Sequence, residues 1–245
     1  MYTFLKGVST NIYIGRNAGK RVLQDIRQAS KSVRIISPYL APELAGLLRE
    51  KEASGVSIEL VTTNEITQAP KSQEIIRELV EQIRTTRPLA MSIRKWGRGL
   101  SFVCFLLLAG GCARLAYLNA DFDLWALMAL ACILPFIIFS GIRTYDYTYK
   151  NRFNIKCLIS PHCGGSFKEH SLVHAKLFII DDRVAFLGSL NYTWPGMKYN
   201  VESCIHIIGK DAVAQIVQAF HELPKGMEQA NLEILAHKCY QEPAN

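Results

Sequence analysis

In the run from His174 to Asn191, HAKLFIIDDRVAFLGSLN, six residues suited to phosphate chemistry stand at fixed offsets. They are His174, Lys176, Asp181, Gly188, Ser189 and Asn191, in the pattern H-x-K-x4-D-x6-G-S-x-N. An imidazole can attack phosphorus, and an ammonium can neutralise the charge that builds on its oxygens. A hydroxyl and a carboxamide can donate hydrogen bonds to the same oxygens. Gly188 lets the backbone come close to a bound anion. A His and a Lys alone could merely decorate a strand, but Asp, Gly-Ser and Asn at these offsets point to a built phosphate site.

Such a site needs strands to hold it. Ser171 to Ile180 is apolar, rich in β-branched residues and short, so the pattern predicts a buried strand. Residues two apart on a strand share a face, which sends His174 and Lys176 to one side. Asp181-Asp182-Arg183 reads as a turn, and Val184 to Leu187 as the returning strand. Upstream, strands are expected at Asn11–Ile14, Val33–Ser37 and Val56–Thr62. Helices are expected at Asn17–Ala29 with an Asn cap, at Glu43–Ala53 after Pro42, and at Ser72–Thr86. In the last of these, Ile75, Ile76, Leu79, Val80 and Ile83 form an apolar stripe opposite Glu74, Glu78 and Glu81. Downstream come strands at Phe153–Ile159 and Val201–Ile208, and helices near Asp211–Leu223 and Met227–Cys239. Alternation of this kind predicts a parallel-rich sheet covered on both faces.

The chain has 245 residues, 49% of them hydrophobic and only 20% charged. Its net charge of +7 favours an anionic partner, whether nucleic acid or an anionic lipid surface. Seven cysteines without regular spacing argue against a disulfide framework and for a reducing compartment. Cys157, His162, Cys163 and His170 precede the motif, but their spacing fits no compact zinc pair. The N-terminus lacks the apolar core of a secretory signal. The excess hydrophobicity sits at 100–118 and 124–142, each close to the roughly 20 residues that span a bilayer as a helix. The loop between them carries Asp121 and Asp123 and no base. Arg94, Lys95 and Arg98 precede the pair, and Arg143, Lys150 and Arg152 follow it. This pattern predicts a transmembrane helical hairpin with both termini in the cytoplasm. Arg114, near the far end of its span, could reach the interface or Asp121.

The motif resembles the active-site signature of the phospholipase D superfamily, and the likeness extends to LQDIRQASKSVRIISPYL near the start, to Asn200-Val201-Glu202 and to the closing FHEL. The resemblance implies an α/β sandwich with a mixed central sheet flanked by helices, here interrupted by the hairpin. Residues 1–96 and 144–245 would then be two parts of one catalytic domain, with 97–143 inserted between them. It also implies phosphodiester hydrolysis or transfer with neither metal nor cofactor. His174 would be the nucleophile that forms a phosphohistidine, and Lys176 and Asn191 would hold the phosphate oxygens, with Ser189 as a further donor. Asp181 would support the site geometry, and Glu202 would accept a hydrogen bond from the imidazole. The family uses two histidines, whereas His162, His170, His206, His221 and His237 all lack a Lys two residues on. The chain therefore resembles the single-motif branch, including small bacterial endonucleases and mitochondrial cardiolipin hydrolases, in which a homodimer brings two motifs together. Two substrates stay open: a phospholipid, favoured by the hairpin, and DNA or RNA, for which the basic balance also speaks.

Overall fold

A computed structural model of the protein describes residues 8–116, 133–161, 173–240 and 242, with the backbone alone at 112–116. The chain divides into two compact units. One comprises Met1–Glu81 with Tyr149–Tyr240, the other Gln82–Thr148 with Gln241–Asn245.

The first unit is built on a seven-stranded mixed sheet. Its strands are β1 (Thr10–Gly15), β2 (Ser32–Ile36), β3 (Ser57–Thr63), β6 (Asn154–Leu158), β7 (Leu177–Ile180), β8 (Val184–Gly188) and β9 (Glu202–Ile208), in the order β1-β9-β8-β7-β2-β3-β6. Only β2, β3 and β6 run parallel; β2-β7, β7-β8, β8-β9 and β9-β1 are antiparallel. Two of the six pairings are parallel, so the sheet is mixed and mostly antiparallel instead of parallel-rich. The antiparallel part follows from short connections: three residues join β7 to β8, and a link that short forces a hairpin.

Alternation along the strands sorts the core into two layers. Val33, Ile35, Ile58, Leu60, Phe178 and Ile180 pack beneath α1 (Lys20–Gln28), α2 (Pro42–Ala53), α3 (Ser72–Leu79) and α7 (Leu232–His237). Ile36, Val61, Leu177, Ile179, Ala185 and Ile207 face α6 (Lys210–Glu222) through Val213, Ile216 and Phe220. The result is a mixed sheet flanked by helices on both faces.

Several sequence expectations are corrected here. Asn17 does not cap α1 through its side chain. It takes a positive φ of 61°, its N–H reaches the Lys198 carbonyl at 3.1 Å, and the helix starts after Gly19. The helix expected over Ser72–Thr86 stops at Leu79, and the chain continues as β4 (Val80–Thr86), paired with β5 (Tyr145–Asn151). Ile75, Ile76 and Leu79 are buried, but Ile83 is on the strand and exposed. Its β-branched neighbourhood, Val80, Ile83, Thr85 and Thr86, suits a strand once a partner is present. Finally, β7 begins only at Leu177, so His174 and Lys176 lie in the chain that leads into it.

In the second unit the long helix α4 (Pro88–Ala116) starts with Pro at its first position, where the missing N–H costs nothing. The described part of α5 spans 133–140. A Cβ at Gly97 would overlap the Phe139 ring, so this glycine is what allows α4 and α5 to approach closely. Both helices expose large apolar side chains, among them Leu100, Phe102, Leu107, Leu134 and Ile138. Among the described residues, no helix is long and apolar enough to cross a membrane. The transmembrane hairpin expected at 100–118 and 124–142 thus finds no support among the described residues. Residues 117–132, with Asp121 and half of the second span, lie outside the described residues, as does the Arg114 side chain.

Candidate active site

The site forms where β7, β8 and β9 run side by side. Gly188 is its hinge: its N–H donates to the Lys176 carbonyl at 3.3 Å, and its Cα faces Cys204 across the ladder. A Cβ here would overlap the Ser203 carbonyl oxygen, so only glycine lets the two strands close. One residue on, Ser189 repeats the link to β9, its N–H donating to the Ser203 carbonyl at 3.0 Å.

His174 is exposed while Lys176 is buried. The Lys176 ammonium nevertheless reaches back to its neighbour two residues away. Its Nζ is 3.0 Å from His174 Nδ1, 2.9 Å from Nε2 and 2.9 Å from the His174 carbonyl oxygen. Burial pushes the Lys176 pKa below its ordinary 10.5, against the opposing pull of the Glu202 carboxylate. An imidazole open to solvent, with a cation held against it, is the chemical centre of the site.

Glu202, the first residue of β9, is held by other partners than the sequence suggests. Ser189 Oγ donates to its Oε2, and Asn200 Nδ2 donates to its Oε1 at 3.1 Å. The Ser189 hydroxyl in turn accepts the Ser203 N–H at 3.0 Å. The expected His174–Glu202 hydrogen bond is absent; Glu202 acts on Lys176 through charge instead. Asn200 is the residue that sequence reasoning passed over as a site member. Its spacing of two from Glu202 along an extended chain was the available signal.

Asn191 follows β8 in a tight loop. Its carboxamide oxygen is buried without a hydrogen-bond partner, and a Cβ at Gly196 would stand 2.6 Å from its backbone oxygen. A buried acceptor left unpaired is costly, by about 1–3 kcal/mol, so this oxygen calls for a donor. No hydrogen bond joins it to His174.

Asp181 is not in this cluster. It terminates β7 at the end away from His174, and seven extended residues span on the order of 20 Å. Its carboxylate accepts the backbone N–H groups of Ser30 at 3.1 Å, Lys31 at 2.7 Å and Ser32 at 3.0 Å, with the Ser30 hydroxyl at 3.3 Å. Partial burial pushes its pKa up, but these hydrogen bonds outweigh burial and hold it below the ordinary 3.8. Asp181 therefore ties the β7–β8 turn to the start of β2, which fixes the sheet rather than the reacting atoms.

Among the described residues no group of three or more His, Cys, Asp or Glu side chains converges as metal ligands would. Cys157 is buried in the core, and His162, Cys163 and His170 lie outside the described residues. The remaining histidines are placed elsewhere in the first unit. His206 is buried and stacks on Phe186 at 4.5 Å, His221 on α6 pairs with Glu59 at 3.7 Å, and His237 packs on Tyr149 at 5.5 Å.

A family model described as "Cardiolipin synthase, PLD-like domain" matches residues 140–223. None of the curated proteins matches the chain. Among solved structures the chain is similar to NucT from Helicobacter pylori, at 11% identity over 91% of this chain and 99% of that one, with a TM-score of 0.49. It is also similar to Nuc from Salmonella typhimurium, described as a phospholipase D family member, at 12% identity over 91% of this chain and 99% of that one, with a TM-score of 0.46. A third similar structure is phosphatidylserine synthase from Haemophilus influenzae, at 11% identity over 91% of this chain and 40% of that one, with a TM-score of 0.45. Over residues 140–223, which hold the whole motif, the chain matches the model of a phospholipase D-like domain.

Proposed function

We propose that the protein is a metal-independent phosphodiesterase that hydrolyses the headgroup phosphodiester of phospholipids, or transfers their phosphatidyl group, through a phosphohistidine on His174. The observation that carries this reading is the exposed His174 ring with the Lys176 ammonium held within 3.0 Å of both its nitrogens. A phosphodiester drawn to Lys176 would present its phosphorus to the imidazole. A ring nitrogen attacks, the P–N bond forms, and the P–O bond to the leaving alcohol breaks as that oxygen takes a proton. Water then attacks the phosphohistidine, releasing the phosphomonoester and restoring the imidazole; an alcohol in its place gives transfer. Lys176 offsets the charge on the phosphate oxygens throughout, with the Asn191 carboxamide N–H groups as further donors.

The proton for the leaving oxygen needs a second acid. Among the described residues, His206, His221 and His237 are committed elsewhere, so we assign that role to His174 of a second copy in a homodimer. General acid–base assistance of this kind is worth about 10²–10⁴-fold. Lipid is preferred as substrate because α4 and α5 expose a band of large apolar side chains that suits a bilayer. The bases on either side of that band favour the cytoplasmic face of a membrane, with both termini on that side. The net charge of +7 favours the second reading, a membrane-tethered endonuclease on DNA or RNA. The test is headgroup release from anionic liposomes beside cleavage of single-stranded DNA and RNA, all in EDTA. Headgroup release lost in His174→Ala supports the lipid reading. Cleavage of nucleic acid with no headgroup release selects the second reading.

A further inference from the structure

The second unit holds a cavity of about 600 Å³ that the catalytic motif does not touch. Arg84 of β4 and Arg94, Lys95 and Arg98 of α4 line it, together with Phe136 of α5 and Tyr145 of β5. Arg94 and Arg98 are four apart, and Lys95 lies three from Arg98, so all three project from one helical face. Like charges at such spacings repel, and none of the described lining residues is acidic. Among the described residues of this unit both carboxylates are engaged, Asp146 by Arg87 at 2.5 Å and Glu242 by Arg143 at 2.5 Å. Among those same residues, no ion pair forms at any of the four cavity cations. Two are oriented by rings: the Arg84 guanidinium lies 3.4 Å from the Tyr145 centroid and that of Arg98 lies 5.2 Å from Phe136. Four converging cations without a counter-charge among the described residues make a receptor for a phosphate.

The source of that phosphate is indicated by the later turns of the same helix. Beyond Arg98, α4 exposes Leu100, Phe102, Val103, Leu106 and Leu107. From Arg98 to Leu107 a helix rises about 14 Å, close to the roughly 15 Å of one leaflet's hydrocarbon. A phosphate in the cavity would thus leave its acyl chains beside apolar side chains. We propose that this cavity binds the phosphate of an anionic phospholipid, as a site separate from His174.

The test uses the full chain with His174→Ala, so that binding is read apart from any turnover. The protein in nonionic detergent micelles is titrated with phosphatidylglycerol or phosphatidylcholine, and retained lipid is followed by native mass spectrometry. Phosphatidylglycerol should bind at least about tenfold more tightly, as surface cations near anionic lipid imply. Arg94→Gln/Lys95→Gln/Arg98→Gln should abolish that preference, whereas Lys20→Gln/Lys210→Gln/Lys238→Gln, with the same charge loss in the other unit, should keep it. Equal retention of the two lipids by the unsubstituted cavity would overturn the proposal without reference to any variant. So would an unchanged preference in the cavity variant. Displacement of the lipid by millimolar inorganic phosphate would assign the cavity to free phosphate and likewise overturn it.

Discussion

The Cα of Gly188 stands so close to the Ser203 carbonyl oxygen that no Cβ can be placed between them. The same residue donates its N–H to the Lys176 carbonyl, so β7, β8 and β9 are drawn together at one point beside His174. Gly188→Ala must push backbone against backbone, where no flexible side chain can yield. A loss of about 3 kcal/mol or more in stability is expected, with activity lost alongside it. Urea melts of purified protein measure this directly; a midpoint unchanged from wild type would mean that the strands separate more freely than their geometry implies.

Asp181→Asn should affect folding rather than chemistry. It replaces a carboxylate that accepts three backbone N–H groups, and hydrogen bonds to charged groups contribute about 1.5–3 kcal/mol each before solvent screening. A net loss of about 2 kcal/mol is expected, with kcat of the folded fraction within about twofold of wild type. Because its folded pKa is depressed, the Asp181 contribution is present above the unfolded value near 3.8 and lost as pH falls through the folded one. A hundredfold fall in kcat at unchanged stability would instead place Asp181 in the reaction.

His206 gives the opposite group type with a depressed pKa. Burial lowers it below 6.5, with Asp25 opposing and Arg21 assisting, and neither ring nitrogen finds a partner. The folded state therefore keeps the ring neutral while the unfolded chain takes up a proton as pH falls below 6.5. Stability should decline from that point down to the folded pKa, by up to about 1.4 kcal/mol per pH unit. His206→Gln should flatten this decline in melts taken between neutral pH and mild acid. The same slope in the variant would show that another group is responsible.

Much of this was legible in the sequence because it depends on neighbours along the chain. His174 and Lys176 are two residues apart, and Ser189 follows the glycine that needs no Cβ. The buried strands announce themselves as apolar runs. What was not legible depends on partners distant in sequence. Asp181 looks like a site residue until Ser30, Lys31 and Ser32 are seen to claim it from about 150 residues away. Glu202 was expected on the imidazole, but Ser189 and Asn200 occupy both its oxygens. Val80–Thr86 carries the tail of a helical stripe, yet pairing with β5 makes it a strand, an override of local pattern by tertiary partners.

Shared use of His174 across a dimer can be measured by dose. In mixtures of wild type and His174→Asn, activity should fall with the square of the wild-type fraction, since a mixed dimer lacks either nucleophile or acid. A linear dependence in verified mixed dimers would show that one chain suffices. If His162→Ala or His170→Ala then abolished activity, the second acid would be assigned to the same chain.

The central claim is that His174 carries the phosphoryl group, and trapping that intermediate tests it most directly. The protein is mixed with a phosphodiester labelled at phosphorus, quenched in alkali, digested and sequenced by mass spectrometry. Label is expected on His174, stable to base and labile to acid, forming and decaying fast enough to account for turnover. It should be absent in His174→Ala and reduced about 10²-fold or more in Lys176→Met, where the charge on the phosphate is left unopposed. Full turnover by His174→Ala, with no labelled histidine in the wild type, would contradict it.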